Sequence, residues 1–83
     1  MMEAAITDTF KRRGAKHGKK YGLKSGMAGM TRREIYVYGN MQRKGGLDHF
    51  NRTFNNMLGT QLIREVTKVK VKNHGELPVY TMD

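Results

Sequence analysis

The chain has 83 residues, enough for one domain, and a domain this short buries only about 60% of its unfolded surface. It contains no Cys, which excludes a disulfide framework and a thiolate metal site, and His17, His49 and His74 are scattered without ligand spacing. Sixteen Lys and Arg against 7 Asp and Glu give a net charge of +9, pointing to a polyanionic partner, while 37% apolar residues and no Trp predict a poor core.

The first ten residues, "MMEAAITDTF", lack the charged and apolar regions of a secretory signal, and no apolar run approaches the ~20 residues of a membrane span. Residues 1–33 carry nine basic residues and two acids, whereas residues 34–83 carry seven and five. The division predicted is therefore a basic Gly-rich arm over 1–33 and a helical clip over 34–83. Within the arm, "FKRRGAKHGKKYGLKSGMAGM" (10–30) has five Gly among seven Lys and Arg, and its apolar residues show no sustained period. Glycine raises the entropy cost of fixing the backbone, so this arm is expected to be extended and disordered without a partner. Its cations Lys11, Arg12, Arg13, Lys16, Lys19, Lys20 and Lys24 are candidates for phosphate neutralisation, which makes binding salt-dependent. Tyr21 is a candidate for stacking on a splayed base, and equally for touching protein.

"TRREIYVY" (31–38) alternates Ile35 and Val37 with Tyr36 and Tyr38 and predicts a short extended segment. "GNMQRKGG" (39–46) reads as a loop that offers Arg43 and Lys44. Next, Leu47, Phe50, Phe54, Met57 and Leu58 recur at helical spacing and predict a helix over about 47–58. Asp48 suits its first turn, Gly59 follows as a stop, and Asn51, Arg52, Asn55 and Asn56 occupy the opposite face.

"QLIREVTKVKVK" (61–72) is ambiguous. Leu62, Ile63, Val66 and Val69 fit a helical face that Thr60 could cap, whereas "VTKVKVK" alternates as a half-buried strand does. In "NHGELP" (73–78), Gly75 and Pro78 are expected to end the element either way.

No phosphate-binding loop, dinucleotide fingerprint, zinc-protease motif or nucleophile elbow is present. Ser25 is the only serine and lies in the arm, so the residues offer no believable nucleophile. No enzyme, cofactor or metal is expected.

The segment "GLDHFNRTFNNMLGTQLIREVTKVKVKNHGELP" (46–78) resembles the bacterial and mitochondrial small-subunit ribosomal protein number twenty-one family. Phe50, Arg52, Thr53, Phe54 and Asn55 stand in the family's first helix run, and Leu62, Ile63, Glu65 and Val66 at the start of its second. Lys68, Lys70 and Lys72 stand for its basic stretch, and "GELP" (75–78) for its terminal Glu-Lys-Pro. The resemblance implies a structural component of a small ribosomal subunit, mitochondrial in type. Its partners would be ribosomal RNA near the 3′ end and the platform proteins numbered eleven and eighteen.

The fold then expected is mainly α: an extended arm, a short extended segment, and two helices (about 47–58 and from about 60) joined by a Gly-containing turn. It would have no independent large core. Arg52, Lys68, Lys70 and Lys72 would join the arm and loop cations on RNA. Leu47, Phe50, Phe54, Met57, Leu58, Leu62, Ile63 and Val66 would form a protein-docking face.

Two other classes compete. "IYVYGNMQRKGG", "LG" and "LPVY" are loosely similar to the opening of gamma-glutamyl cyclotransferases, although Asn40 and Met41 replace the family's Thr-Leu and no later strand supplies its catalytic Glu. A free-standing small basic nucleic-acid-binding protein, viral or regulatory, is the third class. It predicts a self-contained fold.

Overall fold

A computed structural model describes residues 1–82. It begins with helix α1 (Met2–Lys20). One stripe of that helix is buried: Met2, Ile6, Thr9, Phe10, Gly14, His17 and Gly18, a repeat of three and four residues. Glu3 in the first turn and His17, Lys19 and Lys20 in the last complement the helix dipole. After Gly22, at φ +78°, the chain turns back along the helix. The Gly29 N–H donates to the Gly14 carbonyl at 3.0 Å, and the Leu23 N–H to the Gly18 carbonyl at 2.9 Å.

Strand β1 (Met30–Thr31) leads directly into helix α2 (Arg32–Tyr38). A capping box sets the start of α2. The Glu34 N–H donates to Thr31 Oγ1 at 3.2 Å, and the Thr31 N–H donates to Glu34 Oε1 at 2.9 Å. Asn40, in the left-handed region at φ 56°, breaks the path before a 3-10 turn (Met41–Lys44). Helix α3 (Gly46–Gly59) follows. Strands β2 (Ile63–Val71) and β3 (Gly75–Met82) then form a hairpin whose turn places Asn73 at φ 71° and Gly75 at φ 67°.

The sheet is antiparallel in the order β1-β3-β2. Met30 pairs with Tyr80 and Thr31 with Val79, while β2 pairs with β3 from Ile63↔Met82 to Val71↔Gly75. One register shift lies between Glu65 and Thr67, the extra residue being Val66. Pro78 lies where β3 is paired on the β2 side only, a place that tolerates a residue without an N–H.

Every element contributes to one core. Met2, Ile6 and Phe10 come from α1, Met30 from β1, Ile35 from α2, and Met41 from the 3-10 turn. Phe50, Phe54 and Met57 come from α3, Ile63 from β2 and Tyr80 from β3. Edge-on and tilted ring contacts run from Tyr36 to Phe50 (5.2 Å), Phe50 to Phe54 (5.5 Å) and Phe54 to Tyr80 (5.0 Å). Unbranched Met side chains fill the irregular gaps between these rings. The radius of gyration, 11.9 Å, is that of a folded domain, for which a chain of this length gives about 12 Å.

The expected mainly-α fold without a large core is thus corrected to three α-helices and a three-stranded antiparallel sheet around a shared core. The extended N-terminal arm is instead mostly helix α1, because its few apolar residues and two of its glycines fall on one face. "TRREIYVY" is one residue of strand and then α2, since the capping box prevails over the alternating pattern. The helix expected over about 47–58 is present as α3. The second helix expected from about 60 is strand β2, where pairing with β3 overrides the helical spacing. The preceding element does end here, β2 stopping at Val71 before the turn, but Gly75 opens β3 and Pro78 lies within it, so neither breaks the strand that follows.

Candidate nucleic-acid interface

Helix α3 is anchored from below by Phe50, Phe54 and Met57. Its opposite face is exposed and carries Asp48, Arg52, Asn55 and Asn56, with half-buried Asn51 at its margin. At 1.5 Å per residue its 14 residues give a rod of about 21 Å.

Arg32, the first residue of α2, reaches across to this face. Its guanidinium lies 4.4 Å from the centre of the Phe54 ring. Its two terminal nitrogens donate to Asn51 Oδ1 at 3.3 Å and Asn55 Oδ1 at 2.9 Å. Beside this bridge a groove of about 430 Å³ runs between α2, α3 and β3, with Tyr36, Leu47, Phe50, Leu77 and Pro78 among its walls.

A second groove, of about 880 Å³, lies between the β2–β3 hairpin and the junction of α1 with α2. Lys20, Arg33, Lys70, Lys72 and His74 line it, with Tyr21 at one side. Glu34 organises its inner wall, accepting from Lys20 Nζ at 2.8 Å and the Thr31 N–H at 2.9 Å, and pairing with His17 Nδ1 at 2.9 Å. Burial alone would push the Glu34 carboxyl up. The hydrogen bonds from Lys20, the Thr31 backbone and Tyr21 outweigh it, and with the nearby His17 bring the pKa down to about 2. The same bond to Glu34 raises the Lys20 ammonium above its ordinary value.

Of the residues expected to bind RNA, the structure brings Lys20, Tyr21, Lys70 and Lys72 together around the second groove. Lys11, Arg12, Lys16 and Lys19 lie on the exposed face of α1, where Arg12 pairs with Asp8 at 2.8 Å. Arg13 is half-buried and stacks over Tyr38 at 4.7 Å. Lys24 is exposed on the connection after α1, Arg43 and Lys44 on the 3-10 turn, Arg52 on α3, and Lys68 on β2.

The proposed protein-docking residues divide. Phe50, Phe54, Met57 and Ile63 are spent on the protein's own core, and Leu58 and Val66 are half-buried. Leu47 and Leu62 remain exposed, at 55% and 43%.

Arg32, Arg33, Asn51, Asn55 and His74 are not among the residues that the sequence nominates for binding. The polar face of α3 gives a signal for Asn51 and Asn55. Nothing local signals the reach of Arg32 across 19 and 23 residues.

Among the described residues no group of three or more His, Asp and Glu could hold a metal ion, and no helix is long and apolar enough to cross a membrane. Compared with protein families, curated proteins and solved structures, the chain matches none.

Proposed function

We propose that this protein binds duplex DNA as a free-standing basic domain, with α3 laid in the major groove and the β2–β3 hairpin alongside. The observation that carries the reading is the outward face of α3. Asn51, Arg52 and Asn55 are groups that read base edges, and they stand on a helix fixed rigidly by Phe50 and Phe54. The setting supports it. Helices α2 and α3 follow one another through a Gly-containing turn, and helix, strand, helix, helix, strand, strand is the order of a winged helix-turn-helix. That likeness is one of arrangement, so the function rests on the side chains. Lys68, Lys70 and Lys72 on the hairpin, with Arg33 at its base, supply phosphate contacts that position the helix.

The test is fluorescence anisotropy with labelled duplexes across a salt series. The intact chain should bind with a steep salt dependence. Replacing Lys68, Lys70 and Lys72 by Ala should flatten the slope by about 0.9 for each lost phosphate contact. Arg52→Ala should weaken binding to a selected sequence by roughly tenfold or more. Affinity for duplex no better than for an unstructured polyanion, and indifferent to Arg52, would overturn the proposal.

The small-subunit ribosomal reading is the second proposal, supported by the net charge of +9 and by cations spread over α1 as well as the hairpin. It expects co-sedimentation with small subunits, release only at high salt, and a preference for ribosomal RNA over duplex DNA. The two-helix clip on which its resemblance drew is replaced by a helix and a hairpin.

A further inference from the structure

We infer that Arg32 is a positioning residue that sets base preference: it holds the amide oxygens of Asn51 and Asn55 so that both side chains offer donors, selecting guanine over adenine. The inference rests on the duplex-binding reading above.

The guanidinium has five N–H donors and no acceptor. The atom of each amide that faces Arg32 must therefore be the oxygen, which fixes both amide orientations. Asn51 and Asn55 are four residues apart on one helix face, so a single planar fork spans both. The fork itself is held in place. It stacks over Phe54 at 4.4 Å, and the capping box of Thr31 and Glu34 fixes the backbone from which it springs.

The consequence is chemical. An Asn pairs with adenine by accepting from the N6 amino group through Oδ1 while donating to N7 through Nδ2. Here Arg32 takes one of the two acceptor sites of each Oδ1 and sets its positive charge beside the other, so Nδ2 is the group each amide has left to offer a base. Guanine presents two acceptors, N7 and O6, to such a donor. Adenine would set its own N6 amino group against it, leaving a donor unpaired in a desolvated interface. Asn51 and Asn55 are separated by about 6 Å along the helix axis, so they address two nearby base pairs.

Selection from a randomised duplex library, followed by competition binding of single-base variants, tests this with the full chain. The unaltered protein should favour guanine over adenine by about tenfold at two positions. Asn51→Ala and Asn55→Ala, substitutions on the helix surface, should each erase the preference at one of them. Arg32→Met keeps an apolar stem over Phe54 but removes the fork. It should shift both positions toward adenine, with a melting temperature that confirms folding. Arg32→Lys keeps the charge without the fork and should also lose the guanine preference, which separates orientation from phosphate attraction.

Adenine preference in the unaltered protein, or a guanine preference that survives Arg32→Met, overturns the inference. Duplex binding without base preference overturns it too, while leaving charge-driven duplex binding intact. No duplex binding at all overturns both it and the reading beneath it.

Discussion

Helices α1 and α3 bury comparable stripes in the same core, yet they do so by opposite means. Helix α3 fills space with Phe50, Phe54 and Met57, so it packs at the distance large side chains set. The second half of α1, apart from buried His17, packs through the bare backbone of Gly14 and Gly18. A Cβ at Gly14 would lie 2.6 Å from that of Ala28, and one at Gly18 would run into the Met27 carbonyl. The chain segment 27–29 therefore lies directly on the helix, and the Gly29 N–H can reach the Gly14 carbonyl. Glycine thus has two uses in this protein: it frees the backbone in turns, and in α1 it permits contact.

Five experiments test that contrast. The largest effect is expected from deleting residues 1–20, which removes Met2, Ile6 and Phe10 from the core. Cooperative melting by circular dichroism should vanish, whereas a dispensable arm would leave it intact. Phe54→Ala, at a fully buried position, should cost about 3–5 kcal/mol in denaturant unfolding.

Gly18→Ala should cost about 1–3 kcal/mol through overpacking. The sign is the point, because in an uncrowded helix the same change is expected to stabilise by ~1 kcal/mol. Gly59→Ala at the end of α3 supplies that opposite case: an added Cβ would meet nothing within 4 Å, and a gain of about 0.5 kcal/mol is expected.

The gentlest test is pH. The Glu34 carboxyl is lowered to about 2 in the folded state from an ordinary 4.5, so its stabilising contribution is complete above about 4.5. That contribution should fade as the pH drops toward 2. Because Glu34 ties α2 to His17 and Lys20 at the end of α1, hydrogen exchange should quicken in the last turn of α1 before it does in α3. Glu34→Gln should remove this acid dependence.

The same contrast explains what could be read from the sequence. Helix α3 was legible because large apolar residues mark its buried face. Helix α1 was not, because Gly14 and Gly18 look like breakers until the segment that crosses them is known. A local signal for α2 was present, since "TRRE" is a Thr-x-x-Glu capping box, but Ile35 and Val37 alternating with tyrosines imitated a strand. In β2, "VTKVKVK" pointed correctly to a strand, while Val66, the extra residue at the bulge, gave Ile63, Val66 and Val69 the spacing of a helix. For the candidate site, the polar face of α3 was visible in the sequence, and Arg52 with it. The bridge from Arg32 was not, because it depends on how α2 lies against α3.

The hairpin has a consequence beyond ligand contact. Strand β1 covers only Val79 and Tyr80, so from Pro78 to the tip the ribbon has two open edges. A bare edge is a template for another copy's strand. Lys68, Lys70 and Lys72 recur at every second residue of that ribbon, and the bulge at Val66 twists its base. The lysines therefore also keep neighbouring copies apart, and neutralising them should lower solubility. Concentrated salt should have the same effect by screening their repulsion.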